Sequence, residues 1–170
     1  MANYYTPIVV QQAIPAIDLT ALERLLLAEI FDMQIDDDAL YLCSDEGVSD
    51  MLYLDAGKLR PCLDDPAAEG TTAWKQIVDQ HGTAVLGDNE IEIDASGGWW
   101  ENILQDVVRR SETLDHLSVI ASFTCDKMRP DGLGGMAILI TADQTRGQST
   151  HDLMAQFIAE AVAAGEMQPI

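Results

Sequence analysis

Apolar and polar positions alternate along the chain in a way that predicts four helical stretches and five strands. Leu22, Leu25, Leu26 and Ile30 recur at the spacing of one helix face, and Glu23 stands three residues after Thr20, as in a capping box. A helix is predicted over 20–32. Leu27 and Phe31 widen its stripe beyond one face, which implies contact on two sides or a subunit interface. Strands follow at Ala39–Ser44 and Met51–Asp55, with Asp45-Glu46-Gly47 opening the turn of a hairpin between them.

Residues 61–70 read as a loop, after which Thr71-Thr72 caps a short helix carrying Trp74, Ile77 and Val78 and ending at Gly82. In 89–94 the apolar Ile91 and Ile93 alternate with acids, the pattern of a half-exposed edge strand. Gly97-Gly98 breaks the chain before a second strong helix with Trp100, Ile103, Leu104, Val107 and Val108 on one face. A long hairpin is predicted from 116–126 and 135–143, turning at Pro130-Asp131-Gly132. Residues 136–140 are almost all apolar, so that strand is expected to be central and covered on both faces. Ser149-Thr150 caps a last helix, in which Leu153, Met154, Phe157, Ile158, Ala161 and Val162 recur at helical spacing up to Gly165.

This order of elements predicts an α+β fold with one mixed or antiparallel sheet packed with three to four helices. A tandem αββα pattern joined by one strand is also visible. Glu23 and Glu101 occupy matching places in their helices, and Thr72 and Thr150 lie at the same offset of 78 residues. The pseudo-halves run from about 18–82 and 97–165 within a single domain spanning 1–170.

Charge changes the picture more than length does. The 170 residues hold 29 acids against 9 Lys and Arg, a net charge of −20, while 48% of positions are hydrophobic, which argues against acidic disorder. Such a chain repels polyanions, so neither nucleic acid nor an anionic membrane is an expected partner. The acidity is uneven: 19 acids and 4 bases lie in residues 1–95, against 10 acids and 5 bases in 96–170. It crowds three stretches, with Asp36, Asp37 and Asp38 in the first, Asp45, Glu46 and Asp50 in the second, and Asp64, Asp65 and Glu69 in the third. These residues are expected to share one side of the domain and, with an exposed Trp99 as anchor, to bind a basic protein. No apolar run approaches the roughly 18 residues of a membrane span. The first 17 residues lack the basic segment of a signal peptide, and three unpaired cysteines suit a reducing compartment, so a cytoplasmic protein is expected.

Chemical candidates are few. Alternation on the strand from His116 places Ser118, Ser122, Thr124 and Asp126 on its face, which suggests a small hydrolase as the alternative to a binding module. Same-face strand neighbours nevertheless stand too far apart for triad contact unless another element intervenes. Cys43, Cys62 and Cys125 show no metal-ligand spacing, the Asp36–Asp38 run does not fit an EF-hand, and Gly132, Gly134 and Gly135 lack the lysine of a phosphate loop. No metal or cofactor is called for.

In length and charge the chain resembles antirestriction DNA mimics. In element order it is similar to type III secretion chaperones, which are small, acidic and dimeric. Neither resemblance rests on a residue motif. The first implies imitation of a phosphate backbone, and the second implies masking of a partner by a homodimer. The leading expectation is a non-enzymatic, immunity-, antitoxin- or chaperone-like module that docks or masks a basic protein.

Overall fold

The computed structural model describes residues 2–82, 90–129 and 132–168. In chain order the strands are β1 (Tyr4–Tyr5), β2 (Ile8–Val10), β3 (Ile14–Pro15), β4 (Asp32–Asp36), β5 (Ala39–Ser44), β6 (Met51–Asp55), β7 (Glu90–Asp94), β8 (His116–Cys125), β9 (Gly134–Thr141) and β10 (Thr145–Ser149). The helices are α1 (Ala21–Ile30), α2 (Ala56–Leu63), α3 (Thr72–His81), α4 (Trp99–Arg110) and α5 (Thr150–Ala163).

The N-terminal residues form the centre of the main sheet. β1 to β3 are pieces of one extended arm, interrupted where Pro7 lacks an N–H and again at Gln11-Gln12. One edge of the arm pairs with β8 through Tyr4 opposite Cys125 and Ile8 opposite Ala121. The other edge pairs with β5 through Val9 opposite Cys43 and Ile14 opposite Leu40. β9 and β10 continue the sheet beyond β8, β4 lies on the far side of β5, and every pairing is antiparallel. This is the α+β architecture that the sequence predicts.

The face bearing Ile8, Val10, Leu40, Leu42, Leu117, Val119, Ile138 and Ile140 is buried, and α1 and α4 pack there. Phe31 and Trp100 meet edge to face with ring centroids 5.5 Å apart. Both sides of the wide α1 stripe are used within the chain, because α2, α3, α4 and β6 all contact this helix. Leu22, Leu26, Leu27 and Ile30 are accordingly buried. β6 and β7 form a separate two-stranded ribbon, with Leu52, Leu54, Ile91 and Ile93 turned into the same core.

A buried ion pair ties α1 to α4. The capping box predicted at Thr20 is present: Thr20 Oγ1 accepts the Glu23 N–H, and Glu23 Oε2 accepts the Thr20 N–H at 2.9 Å. Glu23 is fully buried, and the same Oε2 receives Arg110 Nη2 at 2.5 Å. Arg110 also donates to the Asp18 carbonyl, and the Ser111 hydroxyl donates to the Asp18 carboxylate at 2.6 Å. The cation at the C-terminal end of α4 and the anion at the N-terminal end of α1 each suit the local helix dipole.

Several expectations are corrected by the topology. β5 and β6 are not a hairpin: Asp45-Glu46-Gly47 leads the chain from the main sheet into the ribbon, and β5 pairs instead with β4, which occupies acidic residues expected to lie in a loop. Residues 61–63 are not loop but the last turn of α2, which Asp55 caps by accepting the Lys58 N–H, so Pro61 lies inside a helix. The burial of Leu59 and the Asp55 cap outweigh the one hydrogen bond that Pro61 removes. β9 is central, but it is covered on one face only: Ile138 and Ile140 are buried, whereas Ala137 and Leu139 are exposed. Each pseudo-half holds three strands between its outer helices rather than two. The N-caps Thr20 and Thr71 nevertheless precede Gly98 and Ser149 by 78 residues each. The predicted turn residues Pro130 and Asp131, and Asn89, lie outside the described residues.

Removing the partner of a buried carboxylate is costly, and Arg110 is partly open to water, which moderates the cost. Arg110→Met is therefore expected to destabilise the fold by about 2–3 kcal/mol in urea unfolding, with part of the loss recovered when Glu23→Gln is added. Strictly additive costs in that cycle would mean that the pair is not coupled.

Candidate protein-docking surface

The polar face of β8 is where the sequence suggested a catalytic reading. Strict alternation holds: Leu117, Val119 and Ala121 point into the core, and His116, Ser118, Ile120 and Ser122 point outward. Another element does intervene, namely Gln12 of the N-terminal arm. Its Oε1 accepts the Ser118 N–H at 2.7 Å, while its Nε2 lies 3.4 Å from Ser118 Oγ and 3.3 Å from His116 Nε2. His116 Nδ1 meets Asp115 Oδ1, and this contact holds the Asp115 carboxyl below its ordinary range.

An Asp, a His and a Ser are thus in sequence, but a carboxamide stands between base and hydroxyl. The arm leaves β8 after Gln11, whose N–H still donates to the Ser118 carbonyl, and Gln12 supplies the acceptor that the Ser118 N–H requires. The cluster is an edge seal for the sheet. Asp126, at the far end of the strand, instead accepts the Asn3 N–H.

The nominated acids do not gather on one side. Asp36 ends β4 opposite Ala39, and Asp37 and Asp38 form the turn before β5, where Asp37 takes a left-handed backbone with φ of 51°. Asp45 and Glu46 follow the other end of β5, about 20 Å away at the usual strand rise. Asp64, Asp65 and Glu69 lie between α2 and α3, where Asp65 accepts the Ala67 N–H. Only Asp50 adjoins the ribbon, its carbonyl accepting the Ala95 N–H. Trp99 is a correction: it is 3% exposed and its indole N–H donates to the Asp94 carbonyl, so it is a core residue with no surface for a partner.

A further acidic surface, absent from the sequence expectations, lies on the ribbon. Because Ile91 and Ile93 turn inward, Glu90, Glu92 and Asp94 all turn outward on β7, and register places Asp55 opposite Glu90, Tyr53 opposite Glu92 and Met51 opposite Asp94. Tyr53 is 55% exposed. Same-face neighbours on a strand stand about 7 Å apart, and like charges at that spacing repel. Among the described residues, none of these four carboxylates makes an ion pair. The signal was present in the alternation of 89–94, but its partner strand could not be read from it.

The remaining candidates have structural explanations. The Cys62 thiol is pushed up, first by burial and then by the nearby Asp65, away from the thiolate form that a nucleophile needs. Cys43 and Cys125 are unpaired, and among the described residues no group of three or more His, Cys, Asp or Glu could hold a metal ion. Also among them, no helix is long and apolar enough to cross a membrane.

Two outcomes follow from this geometry. Gln12→Ala strands the Ser118 N–H and is expected to cost about 1–2 kcal/mol in urea unfolding, whereas His116→Ala at the exposed end of the cluster costs under about 0.5 kcal/mol. The Asp94 carboxyl is lowered from 3.8 by the Ser96 hydroxyl and N–H. A lowered carboxyl contributes stability above its unfolded value and loses it as pH falls through its folded value. The stability gap between the wild type and Asp94→Asn, followed by urea unfolding from neutral pH downward, is therefore expected to be full above about 3.8 and to close below it.

No family model matches this chain, and neither a curated protein nor a solved structure matches it significantly.

Proposed function

We propose that this chain is a protein-binding module that docks or masks a basic protein, and that its docking surface is the outer face of the β6–β7 ribbon. One observation carries the reading: Asp55, Glu90, Glu92 and Asp94 stand outward in register around Tyr53 and Met51, without counter-ions among the described residues. Asp55 also caps α2 and Asp94 accepts the Ser96 N–H, but Glu90 and Glu92 have no such use within the fold, and each like-charge neighbour costs stability. A lysine- or arginine-rich surface relieves that repulsion when it docks, and Tyr53 and Met51 supply the apolar contact that makes a charged encounter persist. Asp50 extends the acidic field at one end of the ribbon.

The hydrolase reading has weaker support, because Gln12 occupies the space between His116 and Ser118 and the Asp115–His116 pair is exposed. Imitation of DNA is a special case of the leading reading, in which the basic partner is itself a DNA-binding protein.

The test is affinity capture from the source lysate, with the wild type and the double variant Glu90→Lys, Glu92→Lys run in parallel. The wild type is expected to retain basic proteins at low ionic strength and to release them as salt rises from about 0.05 M to about 0.5 M, because screening shortens the reach of exposed charges. The double variant is expected to retain at least about tenfold less. Equal capture by both proteins, or none by the wild type at low salt, would sink the reading. Displacement of the captured protein by duplex DNA would identify the DNA-mimic case.

A further inference from the structure

We infer that the chain self-associates through its outward sheet face and α5, with α5 of each copy seated against the sheet of the other. The inference begins with a helix that has no core. α5 is 14 residues long, is closed by a capping box between Ser149 and Asp152, and buries none of its residues. Leu153, Met154, Phe157, Ile158, Ala161 and Val162 nevertheless form a continuous apolar stripe along it. Its main contacts with the body of the chain are with β9 and β10. A lone helix of this length is marginal in water and draws its stability from packing of its apolar face.

The sheet has the matching vacancy. Its outward face presents Val9, Tyr41, Ile120 and Leu139 beside Ala137, in neighbouring strands that register brings together: Val9 is opposite Ile120, and Ile120 is opposite Ala137. Two adjoining depressions of about 390 and 610 Å³ run along this face, lined by Ile120, Ala137, Gln148 and Leu153 in the first and by Leu139 and Arg146 in the second. α5 leaves the sheet at the edge of the first depression, where the Thr150 hydroxyl accepts the Gly135 N–H.

Area and charge both point to a second copy as the occupant. Val9, Tyr41, Ile120, Leu139, Leu153, Met154 and Phe157 are each 37–56% exposed. Together they leave on the order of 600 Å² in water, most of the roughly 800 Å² that each partner buries in a standard interface. Two copies carrying −20 each repel, so they can meet only where charge is sparse. Residues 133–168 hold four acids and Arg146, in contrast to the 19 acids and 4 bases of residues 1–95. Across a two-fold axis each copy gives one stripe and receives one, so the α5 stripe and the outward sheet face are both covered and the contact closes.

The experiment is light scattering of the full chain from about 1 to about 100 µM, for the wild type and for the surface variants Phe157→Glu and Ile120→Glu. The wild type is expected at twice 18.6 kDa. Each variant is expected to weaken association at least about 100-fold while keeping the far-UV spectrum of a folded chain. Added salt is expected to strengthen the dimer by screening its net charge, the opposite of its effect on docking at the ribbon. Phe157→Glu should also retain the salt-sensitive capture, so the two proposals fail separately. A wild-type monomer across the whole range overturns the inference and assigns the face to a different partner. A dimer that survives both variants overturns it too.

Discussion

The main sheet depends on the N-terminal arm. β5 and β8 do not pair with each other, and all hydrogen bonding between the β4–β5 hairpin and the β8–β10 meander passes through residues 4–15. Without the arm the sheet would divide into two pieces, each with a bare edge and half of its inward face uncovered. Gln12 belongs to the same constraint: where the arm steps away from β8, a side-chain carbonyl takes over from the backbone. The His116 and Ser118 cluster follows from that substitution, which is why a set of residues suited to catalysis is arranged as a strand seal.

Charge is managed in two contrasting ways. In the interior one carboxylate, Glu23, is held through Oε2 by Arg110 and by the Thr20 N–H at the N-terminal end of α1, while its Oε1 is buried without a hydrogen-bond partner, and the ion pair ties α1 to α4. On the ribbon, acids stand in register without a cation among the described residues, and of the four only Asp55 and Asp94 accept backbone N–H groups. The interior carboxylate has a cation and the ribbon carboxylates have none among the described residues, and the protein-binding reading rests on that contrast.

Much of the fold was legible because local signals were strong. Thr20-x-x-Glu23 set the start of α1, Thr71 and Ser149 capped α3 and α5, and alternation gave the two faces of β8 over 116–122, beyond which Phe123, expected on the core side, is exposed. Pairing was less legible. Asp45-Glu46-Gly47 looks like a hairpin turn because turn chemistry is local, but the partner of β6 lies 35 residues or more beyond it, at β7. The arm was missed because Pro7, Pro15 and the two glutamines break any period, and only pairing with strands distant in sequence, β5 on one edge and β8 on the other, makes it extended. The docking surface was half legible: composition located acidity in the first half of the chain, but loops that crowd together in sequence lie at opposite ends of β5 in space.

The apolar run 136–140 is the most informative of the misreadings. A strand of that composition is normally covered on both faces, and here one cover is missing within the chain. The apolar stripe of α5 misses its partner in the same region. Two unmet demands so close together are met most simply by each other, across two copies. The ribbon packs on helices of the inward layer, whereas α5 leaves from the outward one, so association through α5 leaves both acidic ribbons open. A dimer of this kind is bivalent toward a basic partner, and if the partner carries two basic sites within the dimer's span, the second contact forms at the high effective concentration set by the first. The acidity would then act as a paired surface, with the less acidic C-terminal part of the chain supplying the contact on which the pairing depends.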